Sequence, residues 1–594
     1  MSKSDQNSFF TSRVYLVTAC IVLICMAALL RFSHLGAMDF GIDEILHVYA
    51  AQELIQGKPP VLPSGFEYDR SLPFSYLVAM AGFYGGFNEL ALRVPSAILG
   101  TLVVFFVYWL TTRWYSAFAG LVAAFLTTFS PMEIAHSREV RMYMLFQLLY
   151  LLTVFFFYEG FETISPKNLE KSKPSAIKRW IEAYQIRPMF LLCSAGTFLI
   201  AWKIHTLIFP AISGFLLYIF MMGVVTIFIR APHNLVRKKY IGTCLLLLLG
   251  ASAASLLLPS AVEELTAVID GPLAWGQENA DNWSYYRWLL LDEYPIVFGG
   301  LTILLLCCLL KNSKVGLFLC CTLLLPLLLH SLILPMKSYR YIMYIFPLIY
   351  MAAGVGIAQL LTALWTSGHS FNNQRYVPKH LWHLLWSGAL CLAVLGVLIN
   401  MPWFMRTVKD YANDYQSPHV TDVQHHRWKN AMQYISEHQR DEDVIVSGYP
   451  LLSRHYGATH PLYFMNNVYL LNNEQGNQTN EQGELIDYTF GAPVLKNLED
   501  LKRILNSHKS GWVMTYKWRQ DRFWNNPDIA SPTLGMFSHE VLCYIEDHLE
   551  RQSIPNAPDM ALWRWSSGVI PKNGRKIPEI GKPCRMASSS KRCC

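Results

Sequence analysis

Runs of apolar residues long enough to cross a bilayer recur through the first two thirds of this chain, and they constrain its fold more than any other feature. A hydrocarbon core of about 30 Å takes roughly 17–25 residues of helix, because backbone N–H and C=O groups cannot go unpaired in lipid. Eleven stretches meet that length, at 14–30, 94–112, 117–134, 142–158, 189–204, 207–229, 241–260, 294–310, 315–335, 341–364 and 381–400. The first is too long for the core of a signal peptide and lacks a small-residue cleavage site, so it reads as a retained anchor. Residues 1–400 carry 48 charged side chains and residues 401–594 carry 43, so the last third alone has the charge density of a soluble domain. A single soluble enzyme, a disordered chain and a fibrous repeat are thereby excluded.

Lys and Arg in the connecting loops set the orientation. With the N-terminus inside, the inner loops hold 17 basic and 5 acidic residues, and the outer segments up to residue 400 hold 10 and 16. The N-terminus is therefore expected in the cytoplasm. An odd number of crossings then puts residues 401–594 on the extracytoplasmic face of the cell's inner (plasma) membrane, in contact with membrane lipids on the way. The net charge of +7 is small and dispersed, with no basic tract interleaved with aromatics, so nucleic acid is not an expected partner. Nine of the 13 cysteines fall in apolar runs and read as small hydrophobes. Cys543, Cys584, Cys593 and Cys594 lie in the soluble part, where export would permit disulfides whose pairing the spacing leaves open.

The expected architecture is a polytopic α-helical membrane protein of about 11 spans, residues 1–400, followed by a soluble α/β domain, residues 401–594. Trp428, Met432 and Ile435 have helical spacing within 425–438, and Leu498–Leu505 reads as a second helix. Strands are expected at 444–446, Leu462–Met465, Trp512–Tyr516 and Val541–Ile545. Asn472–Gly483 reads as a loop and the tail after Pro571 as poorly ordered.

The unusual polar residues of the membrane part collect on one side. The first outer loop, 31–93, holds Asp39, Asp43, Glu44, Glu67, Asp69 and Arg70, with two segments too short to span, 44–56 and 73–84, expected along the interface. Other outer segments supply His136, Arg138, Glu139, Arg141 and Tyr143, then Lys203 and His205, then Lys337, Arg340 and Tyr341. Ionic groups at membrane helix ends are costly and usually face a cavity or each other. The pair Asp43-Glu44 suits a general base or a ligand for a hard cation. Arg70, Arg138, Arg141, Lys203, Lys337 and Arg340 suit a phosphate, because guanidinium forks match its oxygens and Lys supplies a point charge.

Each residue also has a structural reading. Asp-Glu after a glycine is commonly a helix cap, Arg138, Arg141 and Arg340 fit interface snorkelling, His205 fits a hydrogen-bonded interface histidine, and Tyr143 and Tyr341 fit an aromatic belt. Their gathering on one side favours a site. A secondary transporter would instead put charges near the bilayer midplane, and a membrane-anchored binding module would leave the polar outer loops without a task.

In these residues the chain resembles the GT-C glycosyltransferases that use polyprenyl-phosphate sugars, the group holding the protein O-mannosyltransferases and the lipid A aminoarabinose transferase. The likeness runs in order through Gly41-Ile42-Asp43-Glu44, the stretch ending Gln56-Gly57, Arg70 to Leu77, Gly85 to Ser96, His136 to Tyr143, and Arg340-Tyr341 leading into Phe346-Pro347. It covers 1–400 and is strongest over the first 150 residues. The resemblance implies a polyprenyl-phosphate-linked sugar donor, a lipid, glycan or protein acceptor, and no nucleotide sugar. Asp43 matches the family's proposed base, and Glu44 would assist it or help hold a metal. Arg138, Arg141 and Arg340 would surround the lipid phosphate, with Lys203 and Lys337 as helpers. Leu46 stands where the aminoarabinose transferase has an arginine, and Arg70 is offset from that protein's lysine. A divalent metal ion stays open as a cofactor, with no site carried over. The implied chemistry is one inverting displacement, and the exported domain would guide the acceptor or cap the cleft.

Overall fold

The structure is a computed structural model that describes residues 13–162, 186–228, 239–243, 282–311, 314–334, 338–371, 379–413, 425–466, 478–480, 482–516 and 537–566. The chain divides into two compact units. One comprises Met1–Met38, Ala50–Pro60 and Asp69–Gln424, the other Asp39–Tyr49, Val61–Tyr68 and His425–Cys594.

The first unit is helical. Among the described residues six helices are long and apolar enough to cross a bilayer, or up to eight if each of two bent pairs is one span. Expected spans 1, 2, 4, 6, 9 and 10 fall on Val14–Phe32, Glu89–Trp114, Tyr143–Phe161, Thr206–Thr226, Lys314–Leu332 and Arg340–Ser367. The stretches 189–204 and 381–400 fall on the helices Pro188–Ile204 and Lys379–Ile399. The stretch 241–260 lies outside the described residues after position 243. Arg340–Ser367 is the axis of the bundle, 94% buried over its apolar window, against 22% for the peripheral Val14–Phe32. Val14, Val17, Ile21 and Val22 are accordingly exposed although apolar, as a lipid-facing surface requires. Gly356 lets the helix Phe346–Phe371 touch Pro295–Lys311 backbone to backbone, since a Cβ there would overlap the Gly300 carbonyl.

One expected span is broken, and another starts at a sharp bend. The stretch 117–134 is two helices, Ala117–Thr128 and Pro131–Ser137, meeting at 63°. Pro131 has no N–H to continue a helix but is suited to start one, and the Ser130 side chain accepts from the Glu133 amide at 3.4 Å. The stretch 294–310 likewise begins afresh at Pro295, where Asn282–Asp292 meets Pro295–Leu305 at 93°. The short segments of the first loop are the helices Glu44–Ile55 and Leu72–Gly85.

The second unit has a five-stranded sheet of order β2-β1-β5-β7-β6 and a separate pair β3-β4. The strands are β1 (Val444–Ser447), β2 (Leu462–Phe464), β3 (Gln478–Thr479), β4 (Leu485–Ile486), β5 (Ser510–Tyr516), β6 (Glu550–Gln552) and β7 (Met560–Ser566). β1 runs parallel to both neighbours, pairing Ile445 with Leu462 and with Trp512, and all four of its residues are buried. That two-sided burial is why it reads as an unbroken apolar run. β7 returns antiparallel to β5, with Val513 opposite Trp563. Trp428, Met432 and Ile435 form the buried face of the helix Trp428–His438, and Leu498–Ser507 is the second expected helix.

One expected strand is a helix. Val541–Ile545 lies inside His539–His548, whose cap Ser538 accepts from the Val541 amide at 3.4 Å. Val541, Leu542 and Ile545 join the buried cluster that holds Leu501 and Val513. Positions i, i+1 and i+4 share one helical face, and so short an apolar run carries no period that separates the two states. Most of the expected loop Asn472–Gly483 and the tail after Pro571 lie outside the described residues.

Candidate functional site

In the helical unit, three arginines gather at the C-terminal end of the first span, and Arg138 partners its last carbonyls, which have none of their own in the helix. Arg138 donates to the carbonyls of Arg31 at 3.1 Å and His34 at 3.0 Å, and also to those of Leu30 and Ser33. Arg93 donates to Leu35 at 3.1 Å and Met38 at 2.7 Å. Arg31 donates to Ser137 Oγ at 3.2 Å and to the Thr127 carbonyl at 3.3 Å. Gly100 makes this possible, because a Cβ there would overlap the Ser137 hydroxyl. Beside them His136 Nδ1 lies 2.9 Å from Glu139 Oε2, and Gln147 donates to Glu133 Oε1 at 2.8 Å and to the Met343 carbonyl at 2.7 Å. Glu133 is wholly buried and was not among the expected site residues; a carboxylate inside an apolar span was the signal that marks it.

Arg141 and Arg340 are built alike. Arg141, 3% exposed, donates to Tyr143 Oη at 3.3 Å with its guanidinium carbon 5.4 Å from that ring. Arg340 donates to Tyr341 Oη at 3.4 Å with its guanidinium carbon 5.2 Å from the ring. Each tyrosine therefore serves as a plate that orients the preceding cation.

His205 follows the helix Pro188–Ile204 and caps the next turn, its Nδ1 accepting from the Leu207 amide at 3.2 Å. The proton of the neutral ring is thereby left on Nε2, a buried nitrogen with no hydrogen-bond partner among the described residues. Burial foremost, then the positive charges of Arg70, Arg141 and Arg340, then His330, hold His205 well below the usual histidine range. Three cations from three separate stretches of chain thus act on one imidazole.

Arg70 reaches this place through its neighbour. Ser71 is buried, adopts a left-handed conformation (φ 57°), and donates its hydroxyl to the Ile204 carbonyl at 2.6 Å, next to His205. Lys203 is exposed, with Nζ 5.5 Å from the Trp202 ring centroid. Lys337 lies outside the described residues.

The expected carboxylate pair Asp43-Glu44 belongs to the α/β unit, while Asp69 and Glu139 belong to the helical one. Glu44, 1% exposed, folds back so that Oε2 accepts from the Gly41 amide at 2.7 Å, and lies 3.4 Å from His425 Nδ1. It closes the turn that presents Asp43. His425 Nδ1 is 2.9 Å from the Asp39 carbonyl, and the Lys429 amide donates to Asp39 Oδ2 at 2.7 Å. Tyr449 donates to the Ile42 carbonyl at 3.2 Å, and the Phe40 amide donates to Tyr456 Oη at 2.6 Å. Asp43 itself is half-buried. Burial raises the Tyr449 and Tyr516 phenols, and the Asp43 charge raises them further, so both stay protonated. His425, Tyr449 and Tyr516 carry no pattern in the sequence that sets them apart from core aromatics.

Among the described residues no group of three or more His, Cys, Asp or Glu side chains is placed to hold a metal ion.

The family model described as dolichyl-phosphate-mannose-protein mannosyltransferase matches residues 69–170, which include Arg70, Arg138, Glu139, Arg141 and Tyr143. No curated protein matches the chain. Among solved structures, ArnT from Cupriavidus metallidurans in the apo state is 13% identical with a TM-score of 0.50, over 93% of this chain and 97% of that one. The same protein bound to undecaprenyl phosphate is 11% identical with a TM-score of 0.50 over the same shares. The archaeal oligosaccharyltransferase AglB from Archaeoglobus fulgidus, in complex with an inhibitory peptide and a dolichol-phosphate, is 12% identical with a TM-score of 0.50, over 85% of this chain and 70% of that one. At such identities the likeness is one of fold: the chain shares the fold of ArnT and AglB, and the family model covers a short stretch of it.

Proposed function

We propose that the protein is an integral membrane glycosyltransferase that moves a sugar from a polyprenyl-phosphate donor to a hydroxyl of a lipid, glycan or protein acceptor, with inversion at the anomeric carbon. The observation that carries this reading is the placing of Arg141 and Arg340, each held against a tyrosine ring, and of Arg70, whose neighbour Ser71 is bonded to the Ile204 carbonyl beside His205, in a chain with the fold of ArnT. ArnT bound to undecaprenyl phosphate and AglB with a dolichol-phosphate and a peptide support the donor class and the lipid and protein acceptor classes. The excess of basic residues in alternate loops, 17 against 5 acidic ones, supports a cytoplasmic N-terminus and chemistry on the opposite, extracytoplasmic face of the inner membrane.

In this reaction the acceptor oxygen attacks the anomeric carbon while the bond from that carbon to the phosphate oxygen breaks. The Asp43 carboxylate takes the hydroxyl proton. The donor phosphodiester leaves as a monoester with one more negative charge, and that added charge is what Arg70, Arg141 and Arg340 stabilise more strongly than the ground state. His205 Nε2–H adds a neutral donor to the same oxygens. Arg138, engaged with four carbonyls, holds the chain in place.

The test is transfer by the purified full-length protein in nanodiscs, supplied with a series of radiolabelled polyprenyl-phosphate sugars and envelope lipids, glycans or peptides as acceptors. Product with inverted anomeric configuration, lost in Asp43→Asn, is expected. Full transfer by Asp43→Asn would remove the base, a retained configuration would remove the single displacement, and labelled solute crossing proteoliposomes without any transfer would favour a transporter.

A further inference from the structure

The α/β unit contains a run of three parallel strands, β2, β1 and β5. In open sheets of that kind ligands sit at the carboxyl ends of the strands. Here those ends lead to Asn466 after β2, Tyr449 after β1, and Tyr516, the last residue of β5. All three are buried. Asn466 and Tyr516 are hydrogen-bonded to each other through their side chains.

A segment of the protein's own chain lies with this edge. Asp39–Tyr49 is distant in sequence from His425–Cys594 but belongs to the same compact unit. Its residues 39–43 lie outside any helix or strand, so their backbone groups take partners elsewhere. Those partners come from the α/β unit: His425 to the Asp39 carbonyl at 2.9 Å, the Lys429 amide to Asp39 Oδ2 at 2.7 Å, Tyr456 Oη to the Phe40 amide at 2.6 Å, and Tyr449 Oη to the Ile42 carbonyl at 3.2 Å. The last of these grips the peptide immediately before Asp43. The charge of Asp43 in turn acts on both Tyr449 and Tyr516.

We propose that the α/β unit is the positioning device of Asp43, with Tyr449 and His425 as positioning residues that hold the backbone on which the carboxylate is mounted. The inference rests on the reading of Asp43 as the base. A base must sit within hydrogen-bond reach of the proton it takes, and a displacement of about 1 Å at a reacting group can cost on the order of a hundredfold in rate. An irregular segment has no internal ladder to enforce such placement, and its bonds to Tyr449, Tyr456, His425 and Lys429 of the α/β unit take that place. The soluble unit is then part of the catalytic apparatus, in addition to any contact with the acceptor.

The experiment compares full-length wild type, Tyr449→Phe, His425→Ala and Asp43→Asn in nanodiscs, measuring kcat and donor KM per folded molecule, and amide hydrogen exchange over residues 39–49. Tyr449→Phe is expected to lower kcat about tenfold or more with donor KM within about twofold, and to speed exchange in that segment. His425→Ala should do the same through a different bond, so the test survives if one variant fails to fold. Wild-type kcat and unchanged exchange in the folded variants would overturn the proposal while leaving Asp43 as the base. Transfer surviving in Asp43→Asn would instead overturn the base, and this proposal with it. A drop in folded yield with kcat per folded molecule unaltered would reduce Tyr449 and His425 to structural residues and also overturn it.

Discussion

Ser71 donates its hydroxyl to the Ile204 carbonyl across 2.6 Å, joining the turn that carries Arg70 to the end of the helix that precedes His205. Two stretches 133 residues apart are held in register by one buried bond at a residue whose φ is 57°. Ser71→Ala removes the bond and keeps the left-handed strain, whereas Ser71→Gly removes the bond and relieves it. Both should lower stability, Ser71→Ala by about 1–3 kcal/mol and Ser71→Gly by about 1 kcal/mol less. Thermal unfolding in detergent reads the difference, and equal midpoints for the two variants would remove the backbone argument.

Arg138 and Arg340 should respond oppositely. Arg138→Ala leaves the carbonyls of Arg31 and His34 without their partner and is expected to cost about 2–4 kcal/mol of stability, with donor affinity of the folded fraction unchanged. Arg340→Ala should raise the donor dissociation constant about tenfold while moving the unfolding midpoint little. Weakened donor binding by a fully stable Arg138→Ala would return that guanidinium to the phosphate group.

His205 makes the protein acid-sensitive in a definite direction. Its pKa is depressed in the folded state, so the unfolded chain binds the extra proton first, near pH 6.5 or so. The stability carried by the neutral ring is fully present above that pH and is lost as pH falls through the folded pKa. His205→Gln should therefore show a smaller drop in unfolding midpoint between about pH 7.5 and pH 5 than wild type. An identical drop in the two proteins would mean that His205 is not the group responsible.

Asp443 should be a stability residue of the α/β unit alone. Its buried carboxylate accepts from Ser510 Oγ, from Trp512 Nε1 at 2.9 Å and from the Arg440 amide at 3.0 Å. Asp443→Ala leaves these donors unmatched and is expected to cost about 3 kcal/mol. Indole fluorescence and thermal unfolding of the full-length protein report it, and an unshifted midpoint would mean water replaces the carboxylate without loss.

Six of the eleven expected spans were legible as helices long and apolar enough to cross a bilayer, because length and apolarity are local properties. The breaks at Pro131 and Pro295 were less so, although the prolines stand in plain view, because a proline starts a new helix at those places yet stands inside a continuous one at Pro95 and Pro326. Val541–Ile545 was misread as strand because five apolar residues fit either period, and its burial against Leu501 and Val513 decided the matter. Strands β6 and β7 went unanticipated: Met560–Ser566 is paired between β5 and β6, and Glu550–Gln552 exists only as its edge partner.

For the candidate site, residue types and sidedness were readable, but bonding was not. Arg138, Arg141 and Arg340 look alike along the chain, yet one is engaged with backbone carbonyls while two lie on tyrosine rings near His205. By itself the sequence determined the membrane-crossing helices, their expected orientation and the clustering of ionic residues in alternate loops, because each follows from local apolarity and charge. Only the tertiary structure decided which guanidiniums are held against tyrosine rings and which against backbone carbonyls, and that the Asp43 segment is held by residues from beyond position 424, because a donor's choice of acceptor is made between groups far apart in the chain.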